Sequence, residues 1–254
     1  VGYSHLIPQE LPSARRVKYW SMEASELQQY SLASLHYSIR KHVYRAQRNG
    51  LTVTRIQDLE PYWNDLREIA ISKSDRTGYG RSADYYHSHY DEWCASLRRE
   101  FARPGRDWWG VFAQGRLGAY LYGYLIDDTM YLRVYKVHHD FLRLNASYLL
   151  YFSVLEYCRD LPGCVRVNAG RGGLTPGVDQ FKQKQGFHLE EAGEYTFYNP
   201  AVKLLLRAVK CCARSSPVAP ASSPAGKPGR VRKLFRHALR MADRLENQNE
   251  TENG

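Results

Sequence analysis

The chain has 254 residues, 43% apolar, 24% charged and 13% aromatic, enough to bury one core of ordinary size. Lys plus Arg number 36 against 26 Asp plus Glu, yet residues 201–254 hold eleven basic and four acidic side chains, so the tail carries +7 and residues 1–200 only +3. That asymmetry excludes reading the whole chain as a nucleic-acid binder on charge alone, and no window offers the ~18 to 20 apolar residues of a spanning helix.

Residues 1–24 mix turn signals with Pro8 and Pro12 and are expected to form an N-terminal arm (1–25). The chain begins at Val1 with no charged-then-apolar leader. Helical spacing then runs from about Glu26 to Asn49-Gly50. The later half carries Arg40, Lys41, His42, Arg45 and Arg48, which form either a solvated basic face or a surface for an anionic acceptor or phosphate chain. Leu51 to Ile56 alternates as a half-buried strand. Asp58 is placed to cap the next helix, with Pro61 in its first turn. Ser72 to Arg81 reads as a loop, and Ser82 to Phe101 as one helix whose aromatic stripe, His89 included, belongs to the core.

Three strands follow, Trp108 to Ala113, Leu117 to Ile126 and Met130 to Val137, joined by hairpin-length turns into an antiparallel meander. Tyr120, Tyr122 and Tyr124 share one face, either flooring a cleft or packing under a helix. Asn145 is expected to cap a helix through about Arg159. A strand at Cys164 to Asn168 enters the glycine-rich AGRGG, and a short helix over Gly177 to Gln185 ends at Gly186. Two strands, Phe187 to Glu191 and Glu194 to Tyr198, are expected to turn at Ala192-Gly193. Beyond Pro200 come an amphipathic stretch, a Pro/Ala/Ser linker and a basic amphipathic helix. The five cysteines, 94, 158, 164, 211 and 212, show no metal-ligand spacing and read as reduced thiols of a cytoplasmic protein, with no metal expected.

The order of these elements over residues 51–198 resembles the GNAT acyltransferase fold. HYSIRKHVYRAQRNGLTV, VHHDFLRLNASYLLYFSVLEYC and VNAGRGG with VDQFKQKQGF narrow the resemblance to the FemAB-like and related GNAT-type N-acyltransferase branch, over about 165 residues. It implies an α+β, three-layer α/β/α architecture with a mainly antiparallel mixed sheet whose fourth and fifth strands splay apart. The acyltransferase domain would occupy 26–200 (core 51–198), with the basic tail at 201–254.

The same resemblance implies an enzyme that moves an acyl group from acyl-CoA, acetyl-CoA among the candidates, to a small-molecule or peptidoglycan-like amine by direct attack. The backbone near Lys136 and Val137 would supply the oxyanion contact. Arg143, Asn145, Ala146 and Ser147 would meet the donor phosphates, although the glycines usual in that loop are missing. Lys182 stands where many GNATs carry a tyrosine and is either a solvated helix lysine or a cation stabilising the leaving group. His138 or His139 would pass the proton, while Asp75, Arg76, Tyr79, Tyr135 and Asn168 would line the acceptor side. Two other readings share these residues: an aminoacyl-tRNA-dependent transferase of peptidoglycan bridges, and a non-catalytic binding module attached to RNA or an anionic membrane surface by the tail.

Overall fold

The computed structural model describes residues 15–77, 81–172 and 176–194. The chain divides into two compact units, residues 18–190 and a second made of 1–17 with 191–254. Of the second, only 15–17 and 191–194 are described, as strand ends, so the tail and Tyr79 lie outside the described residues.

A seven-stranded sheet, ordered β2-β3-β4-β5-β6-β1-β7, organises the larger unit. Its strands are β1 (Arg15–Met22), β2 (Thr52–Arg55), β3 (Arg106–Ala113), β4 (Arg116–Ile126), β5 (Thr129–Val137), β6 (Arg166–Arg171) and β7 (His188–Glu194). The meander β3-β4-β5 is antiparallel, as the turn residues require. Gln114 and Gly115 both hold positive φ, 51° and 76°, the geometry of a two-residue hairpin turn that follows strand twist. β1 is a difference from the sequence reading: residues expected to form an arm pair antiparallel with β6. A register shift between Tyr19 and Ser21 breaks the two-residue alternation that would have marked it.

Helices cover both faces. On one side lie α1 (Ala24–Gln28), α2 (Tyr37–Arg48) and α7 (Ala146–Asp160), packed over Trp109, Leu121, Met130 and Val137. On the other lie α3 (Trp63–Thr77), α4 (Ala83–Ser88) and α5 (Tyr90–Phe101), whose core includes Leu66, Ile69, Leu97, Trp108, Tyr120 and Tyr122. The tyrosine row therefore packs under helices, with Trp108 stacked on Tyr122 at 4.2 Å. Two short helices, α6 (His139–Arg143) and α8 (Pro176–Lys184), complete the set.

Local chemistry accounts for the other departures. The helix expected from Glu26 is interrupted because Ser31 and Ser34 exchange side-chain bonds with each other's backbone, closing a turn in place of helical bonds. Asp58 accepts from Glu60 N–H at 3.0 Å ahead of a 3₁₀ turn over Glu60–Tyr62, so the expected start is present in modified form. Helix α3 continues through the expected loop to Thr77, since Ser72 to Arg76 contains no breaker before Gly78. The helix expected over Ser82 to Phe101 divides at His89, where Ser88 Oγ donates to the Asp84 carbonyl and also meets His89 Nδ1. Strand β7 runs straight through Ala192-Gly193, where a turn was expected.

Two features set the geometry of the site. First, parallel pairing between β5 and β6 joins only Thr129–Tyr131 to Arg166–Asn168, and the rest of β5 has no register partner on β6. Second, β4 residues Tyr122 and Gly123 face Val134 and Leu132, so Arg133 is an extra residue in β5, a bulge placed where the pairing stops.

Gly118 on β4 lets the ring of Phe141 on α6 lie against the strand, since a Cβ there would fall 2.0 Å from ring atoms. Gly118→Ala is expected to destabilise the fold by about 1–3 kcal/mol in urea unfolding. Adding Phe141→Ala should recover part of that loss, because the second change removes the clash.

Candidate functional site

The gap left by the splayed strands is bounded on one face by the start of α7. Asn145, before the helix, adopts the left-handed conformation (φ 68°, ψ 26°) and makes no capping bond. This backbone region suits glycine, and asparagine is among the few other residues that enter it readily. The missing glycine is thus replaced in conformation, and the expected capping role of the side chain is corrected. Its Oδ1 meets His42 Nδ1 of α2 at 2.9 Å, and the His42 ring stacks on Tyr148 at 4.2 Å. The Asn145 Nδ2 is buried without a hydrogen-bond partner. Ala146 and Ser147 are in the first turn of α7, where amides have no acceptor four residues back. An anion at this end would meet unpaired donors and the positive end of the helix dipole. The exposed Arg143 lies just before it.

On β5 the His138 N–H bonds the Gly118 carbonyl at 2.9 Å. Backbone direction alternates along an antiparallel strand, so the Lys136 amide also turns to β4, while those of Val137 and Tyr135 turn towards the gap. Of the two amides expected near the oxyanion, only that of Val137 turns towards the gap. The Tyr135 hydroxyl is hydrogen-bonded to Ser147 Oγ, and burial raises its pKa further above the ordinary phenol value. Asn168 is buried and its Oδ1 accepts from Gly170 N–H at 2.9 Å, so it braces the turn after β6.

Lys182 is neither solvated nor ion-paired in any described contact: it is 6% exposed, with Nζ 3.4 Å from the Arg171 carbonyl at the end of β6. Burial lowers its pKa to about 8. The neighbouring Phe181 meets Tyr148 and Tyr151 edge-on at 5.2 and 5.1 Å, which places α8 against α7 across the gap.

The two histidines follow β5 directly, at the start of α6. His138 Nδ1 accepts from Asp140 N–H at the start of α6, and burial lowers the His138 pKa, so the neutral ring carries its proton on Nε2. His139 contacts Ser72 Oγ through Nδ1 at 3.2 Å and Asp140 Oδ1 through Nε2 at 3.0 Å. Nδ1 of His138 and both ring nitrogens of His139 are therefore taken up in structural contacts. Among the described residues, no hydrogen bond or ion pair joins either histidine to Lys182. Asp75 and Arg76 are exposed on the last turns of α3.

Two side-chain groups bring three ligand atoms within 4.8 Å, His138 with His139 and Asp140, and Glu23 with His188 and Glu190. The first is already engaged as described. In the second, Arg166 contacts Glu23 at 2.8 Å and supplies the positive charge. No helix among the described residues is long and apolar enough to cross a membrane.

No family model and no curated protein matches the sequence. Solved structures do match. FemX is 14% identical with a TM-score of 0.53 over 80% of this chain and 67% of its own. The C-terminal domain (DUF2156) of a protein assigned as a lysylphosphatidylglycerol synthetase from Agrobacterium fabrum is 13% identical with a TM-score of 0.51, over 71% of this chain and 60% of that one. The chain thus spans three fifths to two thirds of these structures. The likeness shows the GNAT-type fold expected from the sequence, with its mixed, mostly antiparallel sheet.

Lys182 makes a stability test possible. A lysine with a lowered folded pKa binds its proton less tightly when folded, so its cost is greatest below about pH 8 and fades as pH rises towards the unfolded value near 10.5. Lys182→Met is expected to be more stable than the parent at pH 7, by up to about 3 kcal/mol, with the difference closing near pH 10.5 in urea unfolding.

Proposed function

We propose that the chain is an N-acyltransferase that carries an acyl group from acyl-CoA to an amine. The observation that supports this most is the gap between β5 and β6, bounded by the α7 start with its unpaired Asn145 amide. The donor's phosphates would rest at that helix start, and its thioester arm would lie along the free edge of β5. Attack of the amine on the thioester carbonyl forms a tetrahedral oxyanion, which the Val137 N–H is directed to receive. Collapse expels the thiolate, and the Lys182 ammonium, held near neutrality by burial, gives it a proton. The amine's proton leaves through water, since both histidines are engaged in contacts at the start of α6.

An aminoacyl-tRNA donor is a second reading, favoured by the basic face of α2. Lys41, Arg45 and Arg48 are exposed there, and His42 on the same helix touches Asn145. FemX is similar in fold, as is the domain of the protein assigned as a lysylphosphatidylglycerol synthetase, whose name contains a lysyl group.

Thermal-shift measurements with CoA, acetyl-CoA, longer acyl-CoAs and aminoacyl-tRNA separate these donors, because a ligand that binds only the folded state raises the melting temperature. Stabilisation by the CoA series is expected, and no shift with any donor would overturn the transferase reading. With a competent pair, Lys182→Ala should lower turnover roughly 10²-fold while changing donor affinity little. The parent's turnover should fall as pH rises through about 8, and that limb should vanish in the variant.

A further inference from the structure

Helix α7 begins without the bond that its leading residue is equipped to make. Asn145 stands where a side-chain oxygen ordinarily accepts from an amide of the first turn, and no such bond forms. Its Oδ1 is drawn instead to α2, where it meets His42 Nδ1 at 2.9 Å. An amide oxygen only accepts, so His42 donates through Nδ1. The imidazole is fixed by a second contact, a stack on Tyr148 in the first turn of α7, with centroids 4.2 Å apart and an interplanar angle of 14°. Helix α2 thus holds the Asn145 side chain from outside α7.

Three donors are left open by this arrangement. The Ala146 and Ser147 amides, in the first turn, have no acceptor among the described residues. Asn145 is 8% exposed, and its Nδ2 has no hydrogen-bond partner, a costly condition for a buried amide. Neither α2 nor the stretch from Phe141 to Leu155 contains an acidic residue. Arg45, one turn on from His42, and Arg143, two residues before Asn145, are exposed and form no ion pair among the described residues. What the helix start lacks is an acceptor, and an oxyanion supplies one.

We propose that the Asn145 side-chain amide, positioned by His42, is a specificity-determining contact to a phosphate oxygen of the acyl donor. Nδ2 donates to that oxygen beside the Ala146 and Ser147 amides. His42 is a positioning residue that keeps Oδ1 turned away from the first turn. Naming the bearer the acyl donor rests on the transferase reading, whereas the anion contact rests on these groups alone. CoA, with its pyrophosphate, is thereby told apart from a thiol carrier that has none.

Calorimetric titration of the intact chain with inorganic pyrophosphate, CoA and pantetheine tests this, once each variant is shown to melt cooperatively. Glycine enters the left-handed region without strain, so Asn145→Gly keeps the backbone and removes the side-chain amide. It should weaken pyrophosphate and CoA roughly tenfold, as loss of one charge-assisted bond would, and leave pantetheine unchanged. His42→Ala should weaken pyrophosphate in the parent but not in the Asn145→Gly background, because an effect routed through Asn145 vanishes with it. His42→Gln, which keeps an N–H donor, should recover part of the loss. If Asn145→Gly does not fold, Asn145→Asp takes its place: the acceptor for His42 stays, an oxygen replaces Nδ2, and pyrophosphate binding should fall further still. Binding of neither pyrophosphate nor CoA, binding that the Asn145 variant leaves intact, or an equal His42→Ala effect in both backgrounds overturns the proposal. If an acyl donor is turned over with a KM that the Asn145 variant does not change, the transferase reading survives alone. If pyrophosphate responds as stated and neither CoA nor any acyl donor binds, the anion contact stands and the transferase reading falls.

Discussion

Parallel pairing of β5 with β6 ends at Tyr131, and every feature of the candidate site depends on that early stop. The extra residue Arg133 bends β5 away from its neighbour just where the ladder ends. It also resets the side-chain alternation. Met130 and Leu132 lie in the core beneath α7, and beyond the bulge Tyr135 and Val137 return to that face. Val134 packs on the opposite core, and Lys136 lies over Tyr120 there. Without Arg133, Lys136 would point to α7 and Tyr135 to α3, since a one-residue slip exchanges the two faces of a strand.

The gap that results is lined on the α7 side by aromatic rings. Tyr135, Tyr148, Tyr151 and Phe181 meet edge-on, and Tyr151 also contacts Phe187. These contacts hold α8 to α7 and bring Lys182 to the end of β6. A buried ammonium whose described hydrogen bond goes to a carbonyl, with Asp179 offsetting only part of the burial, destabilises the fold. Stability alone would favour an apolar side chain of the same length at this position.

Much of this was readable in the residues. The meander follows from apolar alternation broken by Gln114-Gly115 and Asp127-Asp128, and α7 from a continuous apolar stripe. What escaped depended on distant contacts or broken periods. β1 was hidden because its register shift disrupts the pattern of Val17, Trp20 and Met22. The extension of α3 through Arg76 was hidden because Ser and Asp suggest loops, although neither forces one. Lys182 could not be placed, since nothing on α8 reveals that β6 and α7 enclose it. Asn145 carried a usable signal that was assigned to the wrong cause: asparagine before a helix indicates a cap, but it also marks the left-handed backbone found here.

The opposed facing of Tyr135 and Lys136 ties the two faces of β5 to one another. Successive residues of a strand alternate in direction, so a tilt of the backbone that draws the Tyr135 hydroxyl off Ser147 also moves the Lys136 ammonium over the Tyr120 ring. The end of β5 beyond Arg133 is thus a lever with one arm packed in each core.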